Sequence, residues 1–274
     1  MYEIAQRDTH REQRQPSEHA ARGTRHAARF WVVVPCYNEE RRITDTLDAL
    51  AAQTDRDYTL LIVDNGSTDR TIAVVEAFFS AHPQPHQVIR EAQKGTGAAS
   101  DTGFRHAIAH GARWIARTDA DCLPAPDWVA RLRHHFEVDG LEFVAGHIKP
   151  RDDESPTRFD RALIALLVNL AHPLGRLRRR GLGFKYPYFM AAGNNLAISA
   201  SLYDRCGGFP RTAIDDKHED RVLSERVRRL TDRARFVRGL VVYNSTRRLK
   251  RYGYWRTLRW YLFHGGRPLE VDVR

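Results

Sequence analysis

Two short apolar runs, each ending in a polar turn, constrain the fold more than any other feature. "FWVVVP" begins at Phe30 and is apolar throughout, and "YTLLIVD" repeats the pattern up to Asp64. Continuous apolar runs of this length are typical of strands that are buried on both faces. Apolar residues at helical spacing follow each run: Ile43, Leu47 and Leu50, then Ile72, Val75 and Phe79. Strands alternating with helices predict an α/β fold with a mostly parallel central sheet flanked by helices.

The alternation continues to about residue 125 and then weakens. A short strand is expected near "HQVIR", a glycine-rich turn "KGTGAASDTG" before a third helix, and a fourth strand over 114–118. Farther on, "DWVARLRHHF" predicts an amphipathic helix and "FVAGHI" another strand.

Composition places the chain among ordinary globular proteins. Of its 274 residues, 42% are hydrophobic and 28% charged, and the longest apolar run, 162–168, is too short to cross a membrane. The N-terminus lacks the apolar core of a signal peptide. Three distant cysteines form no CxxC motif and are interpreted as reduced thiols, so a cytoplasmic protein is expected.

The net charge of +10 belongs mainly to the body of the chain. Residues 1–29 carry six arginines against four acids and almost no large apolar residues, which predicts a disordered basic tail. The positive charge of the rest suits a polyanionic partner: nucleotide phosphates, nucleic acid or an anionic membrane face.

Polar residues stand where the predicted strands end. Residues 35–39 follow the first strand, 64–67 the second and 119–121 the fourth. Asn, Asp, Gly and Ser also favour turns, so any one of these stretches could be turn chemistry alone. Because ligands of parallel α/β sheets bind at the carboxyl ends of the strands, their convergence predicts a ligand site at one sheet edge.

Asp119 and Asp121 are two carboxylates separated by one alanine at the end of an apolar strand. Repulsion and desolvation both disfavour that placement unless a positive charge compensates them. A hard cation such as Mg²⁺ or Mn²⁺ prefers carboxylate oxygens and would do so. The alternative is an acidic turn with no ligand.

With these motifs in order, the chain resembles the family 2 glycosyltransferases, which have the GT-A fold. The matching segments are "VVVPCYNEE", "VDNGSTDRT", "KGTGAASDTG", "TDADC", "AAGNNLAISASLYDRCGGF" and "HEDRVLSERV". The resemblance implies an inverting enzyme that uses a nucleotide-diphosphate sugar, most often a UDP-sugar, and a divalent cation. It implies one domain over 30–274, with a nucleotide-sugar-binding half at 30–125 and an acceptor and catalytic-base half at 126–274.

Carried over residue by residue, the resemblance also implies roles on the donor side. Pro35, Tyr37 and Glu39 would line the nucleoside pocket, Asp64 would contact the base, and Lys94 and Gly95 would close over the nucleotide. Asp119 would hold the ribose, or the metal through water, and Asp121 would ligate the metal.

In the second half, Asp220 stands where the family keeps its general base, with Glu219 beside it. An acidic helix N-terminus, favoured by the helix dipole, is the alternative interpretation of this pair. Asn194 and Asn195 are candidates to hydrogen-bond sugar hydroxyls, or else satisfied turn amides. "RTLRW" resembles the QxxRW element of processive synthases, with Arg256 in place of Gln, which would direct Arg259 to the diphosphate and Trp260 to the acceptor. The alternative is a terminal amphipathic helix whose apolar side chains pack on the body of the domain. Arg247 and Arg248 compete for the phosphate contact.

Two segments bear on the acceptor. "FDRALIALLVNLA" followed by "RLRRRGLGFK" predicts either a buried helix with a solvated basic loop, or a wall that docks a lipid-linked acceptor at the inner membrane face. The absence of spans after the catalytic motifs favours transfer of a single sugar. Asp101 departs from the family, which often carries Asn there, and an acid would be unfavourable near a diphosphate unless it caps the third helix.

Two other functions and an inactive relative remain as alternatives. A nucleotidyltransferase usually has a glycine-rich basic stretch after its first strand, where this chain has Tyr-Asn-Glu-Glu. A nucleic-acid-binding protein is suggested by the isoelectric point near 9.8 and by the C-terminal aromatic and arginine residues, but no nucleic acid partner is expected. A non-catalytic family member is disfavoured by the intact acidic motifs.

Overall fold

A computed structural model describes residues 29–154, 157, 183–211 and 219–247. The strands in these ranges are β1 (Phe30–Cys36), β2 (Thr59–Asp64), β3 (His86–Arg90), β4 (Trp114–Arg117), β5 (Leu123–Pro124), β6 (Phe143–Pro150), β7 (Leu196–Ser199) and β8 (Ala234–Asn244). The helices are α1 (Ile43–Ala51), α2 (Thr71–Ala81), α3 (Thr96–Ala109), α4 (Trp128–Glu137), α5 (Ala200–Cys206) and α6 (Glu219–Leu230). A short 3-10 helix, Gly193–Asn195, precedes β7.

The strands form a single sheet in the order β3-β2-β1-β4-β7-β6-β8-β5. Strands β1 to β4 pair in parallel with β1 between β2 and β4, and every residue of β1, β2 and β4 is buried. Apolar residues of α1, α2 and α4 pack on one face, and those of α3, α5 and α6 on the other. The predicted α/β fold with a mostly parallel sheet is confirmed.

The second half extends the same sheet. Strand β7 runs antiparallel to both β4 and β6, and β8 runs parallel to β6 with an irregularity between Gly146 and His147. Because β4 and β7 are direct neighbours, the residues that follow β4 lie beside those that precede β7. The two halves therefore meet at one edge.

The glycine-rich stretch 94–103 was expected to be a turn, and that expectation is wrong. Helix α3 begins at Thr96, so most of the stretch is helical. Its glycines allow close packing: a Cβ at Gly103 would lie 2.5 Å from Cγ1 of Val33, and one at Gly97 would lie 2.4 Å from the Pro210 carbonyl oxygen. Small residues thus bring α3 against both the sheet and the second half.

Asp101 does not cap α3, because it lies in the second turn of that helix. Its carboxylate is buried, pairs with Arg105 at 3.0 Å and accepts a hydrogen bond from the Tyr203 hydroxyl at 2.9 Å. Arg211 approaches to 3.5 Å. The acid is thus compensated inside the interface between α3 and α5.

Two further observations concern helices. In α6, Leu223 and Val227 are buried, whereas Leu230 is 40% exposed. No helix in the described ranges is long and apolar enough to cross a bilayer. The apolar helix expected over 159–171, the basic cluster at 176–180 and all of the N-terminal tail except Arg29 lie outside the described residues.

Candidate active site

The turn after β1 carries Glu39 into the interior. Asn38 adopts a left-handed conformation, with φ of 53°, and Glu39 is 7% exposed. The Glu39 backbone N–H donates to the Thr71 hydroxyl at 2.8 Å, and the Arg247 guanidinium donates to both carboxylate oxygens at 2.8 and 2.5 Å. Glu39 is therefore an ionised acid held by an arginine from the far end of the described chain.

The turn after β2 is organised by Asn65, a residue that the sequence analysis assigned no role. Its side-chain NH₂ donates to the carbonyls of Glu91 and Gln93 at 3.0 and 2.7 Å, and its side-chain oxygen accepts from the Gly95 N–H at 2.8 Å. One amide thus fixes the whole loop between β3 and α3. An Asn at a strand end was visible in "VDNGSTDRT", but its partners were not.

Asn65 places that loop over the first strand end. The Lys94 ammonium donates to the carbonyls of Asn65 and Gly66, both at 3.0 Å, and lies 3.5 Å above the centre of the Tyr37 ring. At the same edge, the Asp64 carboxylate accepts from the Ser67 N–H at 2.9 Å. The predicted nucleoside residues Tyr37 and Asp64 and the predicted loop residue Lys94 therefore lie at one edge of the sheet.

Arg117, the last residue of β4, joins the two halves of the site. It is 1% exposed and donates to the Asp119 carboxylate from Nε and Nη2 at 3.2 and 3.0 Å. Its third nitrogen, Nη1, donates to Glu219 at 3.2 Å. A Cβ at Gly193 would lie 2.8 Å from this guanidinium, so the glycine makes room for it. The sequence feature that could have indicated this role is the charged residue at the end of the otherwise apolar strand "WIAR".

Asp220, the predicted base, is positioned by backbone groups. Its carboxylate accepts from the Gly193 N–H at 3.1 Å and from the Arg221 N–H at 2.6 Å. Burial, followed by the nearby Glu219 carboxylate, raises the pKa of Asp220 from 3.8 to about 6, although Arg117 and the two N–H groups oppose this shift. A carboxylate with a pKa near 6 can accept a proton efficiently close to neutral pH.

Asp121 lies beside a buried thiol and an arginine. Its Oδ2 is 3.0 Å from Arg247, and the Cys122 thiol donates to its Oδ1 at 3.5 Å and to Asn244 at 3.2 Å. Burial, then Asp121, raises the pKa of Cys122 well above 9.0, so the thiol stays neutral. Arg117 and Arg247 supply the positive charge that the paired acids were expected to need, so their placement is explained whether or not a divalent cation is bound.

The two acids nevertheless suit a hard cation. Side chains of Asp119 and Asp121 are 33% and 14% exposed, so both carboxylates are open to the edge of the site. Across the described ranges, no group of three or more His, Cys, Asp or Glu side chains is arranged as a complete metal cage. Mg²⁺ and Mn²⁺ in nucleotide sites commonly take one or two carboxylates, with phosphate and water oxygens completing the shell, and this donor set fits that pattern.

The two candidate acceptor amides behave differently. Asn195 is fully buried, donates to the carbonyls of His147 and Leu240 at 3.0 Å each and accepts from the Trp128 indole at 2.9 Å. All of its hydrogen-bonding groups are used inside the fold, so it does not bind an acceptor. Asn194 donates only a long contact of 3.5 Å to Cys122, and its side-chain oxygen is buried without a hydrogen-bond partner.

Pro35 lies within β1 and aligns with Val63 of β2, at the edge where the other donor-side residues lie. The remaining candidates, Arg248, Arg259 and Trp260, fall outside the described residues and stay predictions.

The sheet, the acids at its strand ends and the carboxylate at the start of α6 define an α/β domain with a polar site at the carboxyl edge of its parallel strands. The profile of "Glycosyl transferase family 2" matches residues 31–206, and the chain belongs to that family. The glycosyltransferase family inferred from the motifs is thus confirmed, and so is the enzyme class.

Two relatives are similar over a little less than half of the chain. The glycosyltransferase AglE of Haloferax volcanii is 31% identical over 134 residues, which is 47% of this chain and 43% of AglE. The UDP-N-acetylglucosamine–dolichyl-phosphate N-acetylglucosaminyltransferase of Methanococcus voltae is 30% identical over 129 residues, 43% of this chain and 51% of that enzyme. The similarity thus covers about half the length of these relatives.

Among solved structures, the mannosyltransferase PcManGT of Pyrobaculum calidifontis, in complex with GDP-Man and Mn²⁺, is similar with a TM-score of 0.62 and 25% identity. The likeness covers 84% of this chain and 60% of PcManGT. This coverage is far larger than that of the two relatives, and the GT-A fold prediction is confirmed.

Proposed function

We propose that this protein is a cation-dependent glycosyltransferase that moves a single sugar from a nucleotide-diphosphate sugar to a hydroxyl acceptor, with inversion. The observation that carries the proposal is the buried Arg117 guanidinium. By binding Asp119 on one side and Glu219 on the other, it ties the strand-end acids to the helix that bears Asp220. Donor and base are thereby set at a fixed separation, as a single displacement requires.

On the donor side, we assign Tyr37, Pro35 and Glu39 to the nucleoside and Asp64 to its base. Lys94 and Gly95 would lie along the diphosphate, and Asp119 beside the ribose. Asp121, assisted by Asp119, would hold Mn²⁺ or Mg²⁺. When bound, such a cation would neutralise the negative charge that develops on the leaving diphosphate.

On the acceptor side, we assign the proton transfer to Asp220. The acceptor oxygen forms a bond to the anomeric carbon while the bond from that carbon to the diphosphate oxygen breaks, and the hydroxyl proton passes to the Asp220 carboxylate. Asp119 and Asp121 belong with the leaving group and so cannot serve as this base. Glu219 is occupied by Arg117, which leaves Asp220 as the proton acceptor.

The donor and acceptor classes come from the relatives. The M. voltae enzyme is named for UDP-N-acetylglucosamine and PcManGT holds GDP-Man, so a UDP-sugar is the first donor to test and a GDP-sugar the second. A dolichyl-phosphate acceptor in the same enzyme's name favours a lipid-linked acceptor for this chain. Peripheral contact with the inner face of a membrane would then be expected, with salt-sensitive co-sedimentation on anionic vesicles as its test.

A lipid phosphate is the second candidate acceptor, since it appears in that relative's name. A phosphate oxygen is already ionised at neutral pH and has no need of a base. The raised pKa of Asp220 favours a hydroxyl acceptor instead, because a carboxylate with a pKa near 6 is useful as a base only when a proton must be removed.

A panel of nucleotide sugars tests the donor proposal directly. Thermal unfolding would be followed with UDP-Glc, UDP-GlcNAc and GDP-Man, each with and without Mn²⁺. A ligand at about 100 times its Kd stabilises the folded state by about 2.7 kcal/mol, which is readily measured. Cation-dependent stabilisation by one nucleotide sugar is expected. Absence of any stabilisation across the panel would count against the donor assignment.

A further inference from the structure

Arg247 lies in the donor site although no step of the proposed reaction uses it. Its side chain is 13% exposed and reaches Glu39 after β1 and Asp121 after β4. Nη1 and Nη2 bind the two oxygens of Glu39 at 2.8 and 2.5 Å, and Nη2 is also 3.0 Å from Oδ2 of Asp121. One guanidinium therefore bridges a predicted nucleoside residue and the predicted metal ligand.

The backbone that carries Arg247 is held in place independently of these contacts. The buried Glu154 carboxylate accepts from the Ser245 hydroxyl, the Thr246 N–H and the Thr246 hydroxyl at 2.7, 2.5 and 2.7 Å. Arg42 pairs with the same carboxylate at 2.5 Å. The base of the Arg247 side chain is thus fixed, so a change of partner would involve the end of the side chain alone.

Arg247 and a divalent cation compete for Oδ2 of Asp121. A cation of this type sits about 2.0 to 2.6 Å from a carboxylate oxygen, and the guanidinium already occupies a position 3.0 Å from Oδ2. Arginine remains charged under all ordinary conditions, so a cation bound at Oδ2 would repel the guanidinium. Release of the arginine from Oδ2 relieves that repulsion.

We infer that Arg247 is a built-in counter-ion of Asp121 and leaves that carboxylate when a divalent cation binds. Its Nη2 then turns to the donor's diphosphate, while Glu39 continues to hold the guanidinium through Nη1. Phosphate oxygens are good partners for an arginine fork. The inference rests on the proposed function and adds that cation and diphosphate binding are coupled through this one side chain.

The structure supports exchange over a purely structural ion pair for two reasons. Glu39 already gives Arg247 a two-point partner, so the Asp121 contact is not needed to satisfy it. In addition, Arg247 Nε is buried and has no hydrogen-bond partner among the residues that the structure describes, so these residues do not fully satisfy the guanidinium in its present position.

The test is Mn²⁺ binding in the absence of any nucleotide, by titration calorimetry of the full chain. Arg247→Met is expected to bind Mn²⁺ about 10-fold more tightly than the wild type, because no internal cation competes for Asp121. Arg42→Met is the matched control: it removes an arginine from the same region, but one that pairs with Glu154. Its Mn²⁺ affinity should change less than about 2-fold, as expected for a screened charge.

The second measurement is UDP or GDP binding at saturating Mn²⁺. Here Arg247→Met is expected to bind the diphosphate about 10-fold more weakly, since a charged contact to phosphate is lost. Circular dichroism checks the fold. Arg247→Lys, which keeps the charge but not the fork, provides a milder variant with the same directions of change.

Three outcomes would overturn the inference. They are an unchanged or weaker Mn²⁺ affinity in Arg247→Met, an equal gain in Arg42→Met, and no Mn²⁺ binding by either the wild type or Arg247→Met. The proposed function is judged separately, by the nucleotide-sugar panel. A protein that binds Mn²⁺ in the expected order of affinities, yet binds no nucleotide, would refute the proposed function and leave the cation exchange standing.

Discussion

The proposed donor edge, at the ends of β1, β2 and β4, and the proposed acceptor edge, at the start of α6, are built in different ways. At the donor edge most polar groups follow their own strands, and the Asp64 carboxylate, for example, accepts from the N–H of Ser67 only three residues away. Arg247, which binds Glu39 from 208 residues away, is added to this local frame. At the acceptor edge the frame itself is long-range, because Arg117 and Glu219 are 102 residues apart.

Removing Arg117 should have the largest effect, because it is the link between the two edges. Arg117→Met would leave Asp119 and Glu219 without their buried partner, and breaking a buried pair from one side costs about 3 to 5 kcal/mol. Because both acids are partly exposed, we expect the lower end, about 3 kcal/mol, in the free energy of unfolding by urea.

Arg131→Met is the control for Arg117, since its pair with Asp127 is exposed on both sides. It should cost less than about 1 kcal/mol. If the two variants were equally stable, Arg117 would not be holding the edges together.

The second prediction separates the chemistry of the acceptor edge from donor binding. Asp220→Asn keeps the shape and the hydrogen-bonding capacity of the side chain but cannot accept a proton. We expect normal binding of donor and cation, and transfer at least about 100-fold slower. Single-turnover transfer, with the donor that the nucleotide-sugar panel identifies, measures this.

Glu219→Gln sharpens the Asp220 result. Near-normal turnover in Asp220→Asn together with loss in Glu219→Gln would move the base one residue upstream. Full activity in both variants would remove the proton-transfer step from the proposed mechanism.

The third prediction concerns the donor edge. Asp121→Ala should lose cation-dependent nucleotide binding by about 10-fold to 100-fold, the range seen when even outer partners of a metal site are removed. The fold should survive, because Arg247 retains Glu39 as its partner. Calorimetry with UDP and Mn²⁺ decides it, and an unchanged affinity would exclude Asp121 as a ligand.

The same contrast explains how much could be predicted from the sequence. Strands, helices and the acidic strand ends were predicted because each has a short-range pattern: apolar runs, helical spacing and turn residues. The partners of buried charges carry no such pattern. Nothing in the sequence relates Glu39 to Arg247, which is 208 residues away, and yet these pairs decide which acids are compensated.

Glycines produced the clearest error in the prediction of secondary structure. "KGTGAASDTG" has the composition of a loop, and the sequence analysis interpreted it as a turn. Its glycines instead let α3 pack against the neighbouring Val33 and Pro210. Tertiary packing selected glycine here, and a single sequence does not distinguish that from turn chemistry.

The fourth prediction compares adjacent amides that the sequence analysis treated as equivalent. Asn195→Ala should reduce the free energy of unfolding by about 2 kcal/mol or more, because it leaves the Trp128 indole and two buried carbonyls without partners. Asn194→Ala removes one long contact and should cost less than about 1 kcal/mol. Urea unfolding of the two variants, side by side, tests the distinction. A larger loss for Asn194 would reverse it.

The smallest expected effect is the pH dependence that Asp220 gives to stability. Its pKa is about 6 in the folded protein and 3.8 in an ordinary environment, so the folded state binds the proton more tightly. Above pH 6 the carboxylate is ionised in both states, and its burial destabilises the fold. As the pH falls through about 6, Asp220 becomes protonated in the folded state first, so its unfavourable contribution disappears.

The full shift would be worth about 3 kcal/mol, but the side chain is partly exposed, so we expect about 1 kcal/mol. Asp220→Asn should therefore be more stable than the wild type by about 1 kcal/mol at about pH 8, with the difference shrinking below about pH 6 and closing near about pH 4. Urea unfolding of both proteins across this range measures the difference. If it widened as the pH fell, Asp220 would have a lowered pKa in the folded state, and the acceptor edge would be stabilised by its charge rather than strained by it.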